Sequence, residues 1–199
     1  MLVSAAQGEG LVAALTFDDG PNGPTTERLL DFLAARRIRA TFCVIGENIL
    51  ATGGAAVLRR TVAEGHLLCN HTTGHVDMGA WGREAIEADL RANLAIIRDA
   101  LGEPDAPVPY FRAPNGSWGE TSSVAATLGM RSLAVVNTIE DWKTQDVPAL
   151  IARLREAIRP GVLVLAHDGG GEREGTVDAV IAVVSERLDQ GWSFTLPSP

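Results

Sequence analysis

The strongest constraint on this chain is an alternation that runs from one end to the other: short apolar runs separated by longer amphipathic ones. The short runs, 11–17, 39–45, 67–70, 110–112, 131–136, 161–166 and 192–196, read as β-strands. The clearest of the longer runs is Arg83–Leu101. There Ile86, Leu90, Leu94, Ile97 and Leu101 recur at helical spacing and form one apolar stripe, and Gly102 stands ready to end it. Asp146 to Arg159 reads as a helix with Asp146 as cap, Pro148 in its first turn and Leu150, Ile151, Leu154 and Ile158 facing inward. Thr176 to Asp189 repeats the pattern, and weaker helical patterns lie at 24–37, 55–64 and 119–128. Strands alternating with helices along a whole chain mean an α/β fold with a largely parallel sheet. Seven strands and six helices in 199 residues suit a distorted (β/α) barrel forming a single domain over 1–199. An open doubly wound sheet is the rival, but no GxGxxG follows the first strand.

A net charge of −8 with no Lys/Arg cluster argues against nucleic acid or an anionic membrane surface as a partner. The apolar stretches near Val12 and Val162 are far too short for a membrane span, and the first residues lack the pattern of a signal peptide. The expectation is a cytoplasmic protein as given, or a secreted one if the chain is trimmed from a longer form. Oligomeric state is left open. Cys43 and Cys69 sit in separate apolar runs with no CxxC spacing, and they read as buried, reduced thiols, with a disulfide between adjacent strands as the alternative.

Chemistry-bearing residues collect where the strands end, which is where α/β folds bind ligands. Asp18-Asp19-Gly20-Pro21 follows the first strand; the last two residues make a turn that can bring both carboxylates to one side. Taken alone, the same four residues suit an ordinary surface turn. His71 and His75 follow the third strand at the spacing of one helical turn, which puts two imidazoles on one side. With one aspartate they make a three-ligand site with open positions, the catalytic rather than the closed structural arrangement. Carboxylate plus imidazole suits zinc first, with cobalt, nickel or manganese as alternatives. His66 reads as structural. Arg112 can form a structural ion pair or hold one of the carboxylates ionised and in place. His167 leaves a buried strand and reads equally as a core histidine or a functional one.

Together, Thr16-Phe17-Asp18-Asp19-Gly20-Pro21, His71-Thr72-Thr73-Gly74-His75, Arg112-Ala113-Pro114, Asp141-Trp142 and Leu163-Val164-Leu165-Ala166-His167-Asp168 resemble, in order, the five motifs of the polysaccharide deacetylases, carbohydrate esterase family 4. The resemblance covers roughly residues 11–196 and implies a distorted barrel that carries one divalent metal. It implies Asp19, His71 and His75 as metal ligands, Asp18 as general base, Arg112 as the residue orienting Asp18, and His167 as general acid tuned by Asp141. Trp142 and Leu165 would line the acetyl pocket, and the backbone N–H of Asn115 would face the oxyanion. The implied reaction is removal of N-acetyl groups from amino sugars in chitin- or peptidoglycan-like oligomers or polymers. Deacylation of a small N-acylated metabolite and O-acetyl esterase activity of the xylan type are the alternatives, and a non-catalytic sugar-binding module is a fourth reading. Three positions depart from the family pattern. Asn115 replaces an aromatic residue, Thr138 replaces an earlier aspartate of the fourth motif, and Cys69 replaces a small residue. The departures bear on substrate rather than on reaction type.

Overall fold

A computed structural model describes residues 2–198. Its elements run β1 (Val12–Asp18), α1 (Gly23–Ala35), β2 (Thr41–Val44), α2 (Gly46–Leu50), α3 (Gly54–Ala63), β3 (Leu67–Asn70), α4 (Arg83–Leu101), β4 (Tyr110–Phe111), α5 (Thr121–Thr127), β5 (Arg131–Ser132), α6 (Val147–Ala157), β6 (Val162–His167), α7 (Glu174–Asp189) and β7 (Ser193–Thr195). The strands are all parallel, in the order β5-β4-β3-β2-β1-β6, and β7 pairs with the start of β1. The architecture is the distorted barrel the sequence implied. Among the described residues no eighth strand joins β5 to β6. Instead, residues near the N-terminus bridge that gap, Val3 to Leu133 and Ala5 to Val162, and Thr138 bridges to Leu165 nearer the barrel mouth.

This bridging explains the largest departure in strand length. A strand was expected over 131–136, but β5 is only Arg131–Ser132. Beyond it the chain leaves the sheet: the Ala134 N–H donates to the Val3 carbonyl, and Asn137 and Ile139 exchange bonds with Leu165 instead. The short helix α2 carries no periodic stripe long enough to be read from sequence. By contrast α4 matches its expected span, with Ile86, Leu90 and Ile97 fully buried and Gly102 left-handed at its end. Each such side chain contributes about 1.5–3 kcal/mol. The Asp146 side chain caps α6 by accepting from the Ala149 N–H at 2.8 Å.

Strand alternation sorts side chains into two sets. Ala13, Leu15, Phe17, Phe42, Leu68, Phe111 and Val164 pack outward against the helices. Val12, Ala14, Cys43, Cys69, Tyr110 and Leu163 fill the barrel interior. Cys43 and Cys69 face each other in register as free, buried thiols, as expected. His66 is buried and its Nδ1 accepts from the Ala40 N–H; burial pushes its pKa down to about 4, so it is a neutral structural residue. Among the described residues, no helix is long and apolar enough to cross a membrane.

Candidate active site

The interior parity of Ala14 continues to Thr16 and Asp18 on β1, that of Cys69 to His71, that of Tyr110 to Arg112, and that of Leu163 to Leu165 and His167. One geometric rule therefore carries a carboxylate, two imidazoles and a guanidinium to the same end of the barrel. Asp18 and His167 are paired in register on adjacent strands.

Arg112 is fully buried. Its Nη1 donates to Asp18 Oδ1 at 2.5 Å and its Nη2 to Thr16 Oγ1 at 3.0 Å; Thr16 in turn donates to the Val164 carbonyl. Burial opposes the guanidinium charge, but the Asp18 carboxylate beside it outweighs that cost and raises its pKa.

By strand parity Asp19 should point away from the interior. It does not, because the turn begins at Asp19 itself, at φ 72°, and not only at Gly20-Pro21 as the sequence suggested. Its N–H donates to Cys43 and its carbonyl accepts from Asn48 Nδ2 at 2.7 Å. Two glycines make the close packing possible. A Cβ at Gly20 would collide with the Asp168 carboxylate, and one at Gly170 would collide with Asp19 Oδ2.

His71 and His75 do not share a helical turn, contrary to the sequence reading. Residues 71–75 form a tight non-helical turn with Thr72 and His75 left-handed, at φ 70° and 56°. The Thr72 N–H donates to Asn70 Oδ1, the Val76 N–H donates to Thr72 Oγ1, and Thr73 bonds the Asp89 carboxylate. The rings still converge, with centroids 5.1 Å apart. A turn reaches the same end as a helix because only the relative placement of the two imidazoles matters.

Asp19 Oδ1 is buried without a hydrogen-bond partner, 3.3 Å from His71 Nε2 and 3.6 Å from His75 Nε2. Donor atoms of these three residues all lie within 4.8 Å of one another. His71 Nδ1 lies 2.8 Å from the Arg112 carbonyl. A carbonyl can only accept, so Nδ1 carries the hydrogen and Nε2 is the nitrogen left to ligate. An orphaned carboxylate oxygen facing two imidazole nitrogens fits a divalent metal. The carboxylates of Asp18 and Asp19 make this position attractive to a cation. Burial would raise the Asp19 pKa, but the facing imidazoles, His71 foremost and then His167 and His75, depress it to about 2. Burial also works against charge on His71, yet Asp18 and Asp19 hold its pKa above the usual value. On His75 burial prevails and the pKa falls, leaving a neutral imidazole.

His167 Nδ1 lies 2.7 Å from Asp141 Oδ1, and the His167 backbone N–H donates to Asp141 Oδ2 at 2.8 Å. Thr176 Oγ1 adds a third bond to this fully buried carboxylate. Burial lowers the His167 pKa, but the bond to Asp141 and the charges of Asp141, Asp18 and Asp19 more than offset it, so the net shift is upward. In Asp141→Asn this support is lost and the imidazolium is less favoured. The alkaline limb of the pH–kcat profile should move to lower pH, and activity at neutral pH should fall by roughly 10–100-fold, toward the lower end of what a general acid contributes. A pH–rate profile of the variant that overlays the wild type would remove Asp141 from this role.

These groups line one pocket of about 620 Å³. Asp18, Asp19, His71, His75, Asn115, Trp142, Leu165 and His167 reach it; Arg112 and Asp141 stand behind the wall and hold Asp18 and His167. Trp142 is half exposed at the rim, its ring edge-on to His167 at 5.3 Å. Trp118, close by in sequence, packs edge-on against Phe111. Sequence reasoning passed over Thr16 and Thr176, whose hydroxyls brace Arg112 and Asp141, and also Val135 and Arg173 in the pocket wall. The Gly169-Gly170-Gly171 run before Arg173 was the available signal, since consecutive glycines mark a close backbone approach.

A parallel barrel whose mouth gathers an Asp-His-His donor set, a braced carboxylate and a braced imidazole defines a metal-dependent hydrolase. Residues 6–133 match the polysaccharide deacetylase family model. A chitooligosaccharide deacetylase of Sinorhizobium fredii is 35% identical over 190 residues, covering 89% of this chain and 86% of that protein. A peptidoglycan-N-acetylglucosamine deacetylase of Bacillus cereus is 28% identical, covering 94% of this chain and 86% of its own length. Among solved structures, a family 4 acetyl xylan esterase from Clostridium thermocellum in complex with a cobalt ion superimposes with a TM-score of 0.81 at 27% identity, over 93% of this chain and 87% of that one. The chain belongs to the polysaccharide deacetylase family, the metal-dependent deacetylases of carbohydrate esterase family 4.

Proposed function

We propose that this chain, as one catalytic domain, hydrolyses N-acetyl groups of amino sugars in chitin- or peptidoglycan-like oligomers or polymers. The observation that carries the reading is the meeting of the Asp19-His71-His75 donor set with the Arg112-held Asp18 and the Asp141-held His167 at one pocket. The named relatives act on such sugars and support the choice of substrate.

Amide hydrolysis needs a polarised carbonyl, a deprotonated water and a protonated leaving nitrogen. A divalent metal on Asp19, His71 and His75, zinc first with cobalt, nickel or manganese as alternatives, would supply carbonyl polarisation and a more acidic water. Asp18 takes the water's proton: Arg112 occupies Oδ1 and leaves Oδ2 for the substrate side. His167 gives its proton to the leaving amine, since Asp141 holds Nδ1 and leaves Nε2 for the pocket. Leu165 and Trp142 offer an apolar wall to the acetyl methyl. The backbone N–H of Asn115 is the proposed second donor to the oxyanion.

The test is acetate release, with appearance of a free amine, from a series of N-acetylglucosamine oligomers by metal-loaded protein. No acetate from any of them would refute the reading. The likeness to an acetyl xylan esterase favours O-deacetylation as the second reading, and acetylated xylooligosaccharides in the same assay decide between them.

Asn115 also has a backbone reason for its identity. It sits at φ 56°, in the left-handed region, where Asn is among the few non-glycine residues accepted readily. Its side chain is exposed at the mouth of the pocket, leaving that side open. Asn115→Tyr should cost about 1 kcal/mol in stability and shift preference among monosaccharide, oligomer and polymer, with metal content intact. An unchanged order of preference would remove Asn115 from the specificity argument.

A further inference from the structure

Arg173 lines the pocket but has no part in the chemistry above. It is 7% exposed, and no carboxylate among the described residues forms an ion pair with it. Its Nη1 donates to the Glu172 carbonyl at 2.7 Å and its Nη2 to the Gly170 carbonyl at 3.0 Å, while Nε is buried without a partner. A guanidinium has five N–H donors, so the Nε–H and one N–H on each terminal nitrogen lack a protein acceptor. The next acidic residue, Glu174, is engaged by Arg28 and Thr25.

The position adds to the imbalance. Arg173 is the N-cap residue of α7, where the helix's own positive end disfavours a cation, and its side chain makes none of the capping bonds that Ser, Asp or Asn would supply there. A buried cation without a counter-ion is destabilising, and bracing a loop through two neutral carbonyls needs no charge. The cost is recovered when an anion occupies the pocket, and a planar fork of N–H groups fits a carboxylate or phosphate best. The pocket, at about 620 Å³, has room for a sugar ring and a substituent on it or beside it.

We propose that Arg173 is a specificity-determining residue that binds an oxyanion carried by the substrate, so that the preferred acetylated sugar bears a carboxylate or phosphate on, or next to, the N-acetylated ring. This rests on the deacetylase reading above.

The experiment measures kcat/KM of metal-loaded protein on three substrates. They are N,N′-diacetylchitobiose, a disaccharide of N-acetylglucosamine and glucuronate, and N-acetylglucosamine 1-phosphate. The wild type should favour at least one anionic substrate over the neutral one; which one tells a neighbouring carboxylate from a phosphate on the same ring. In Arg173→Gln, which keeps donors for the loop carbonyls but loses the charge, kcat/KM on the favoured anion should fall about 10–100-fold further than on diacetylchitobiose, chiefly through KM. Arg173→Lys, with charge but no fork, should fall between and carries the same comparison if the Gln variant does not fold. Equal losses on all three substrates would make Arg173 a loop brace only and overturn the proposal. So would a wild type that deacetylates diacetylchitobiose without favouring either anion, and that outcome leaves the deacetylase reading standing. If none of the three releases acetate, the proposal is overturned, and the oligomer series above decides whether the deacetylase reading stands.

Discussion

His71→Ala is expected to bring acetate release down to the level of chelator-treated protein, and zinc or cobalt that restores the chelated wild type should not restore the variant. Three protein ligands are the minimum that leaves a catalytic metal both held and open to substrate, and this change leaves two. The imidazole is also the partner of the Arg112 carbonyl, so its loss strands a buried acceptor at a cost of about 1–3 kcal/mol. Elemental analysis beside the activity assay separates the two effects: a variant that melts lower but keeps its metal and turnover would contradict the ligand assignment. So would full activity of wild-type protein verified as metal-free.

Asp18→Asn should lower kcat by about 10²–10⁴-fold while metal content stays at the wild-type level. An amide has nearly the shape of the carboxylate and can still accept from Arg112, but it cannot take a proton from water. The loss should fall on kcat more than on KM, because proton removal belongs to the transition state and not to substrate binding. The variant should also melt lower. Arg112 is fully exposed to the consequences of a lost counter-ion, being wholly buried, and breaking such a pair costs up to about 3–5 kcal/mol. A near-normal kcat on an amide substrate would show that another group is the base.

Much of the architecture is legible in the sequence alone. All seven strands appear where short apolar runs stand, and α4 spans its expected residues end to end because a continuous stripe and a terminal glycine mark it. What was misread shares one cause. β5 stops at Ser132 because the segment beyond it bonds to residues far away in sequence, Val3 and Leu165, which no local pattern announces. The turn at 71–75 replaced the expected helical turn because bonds to Asn70 and Asp89 hold it, and the second of these lies on α4.

The ten candidate site residues were named from motif order and strand ends, and the structure gathers eight of them around one pocket with Arg112 and Asp141 immediately behind its wall. The sequence by itself determined the alternation of elements, the parity that turns Asp18, Arg112 and His167 inward, and the chemical types available at the barrel mouth. Those are properties of single segments, set by side-chain spacing and backbone geometry. Only the tertiary structure decided that Asp19 turns back toward His71 and His75, that Asp18 stands in register with His167, and that Arg173 is buried in the same pocket without a counter-ion. These depend on strand register and on the close approach of the glycine loop at 169–171 to Asp19, contacts between segments about 150 residues apart.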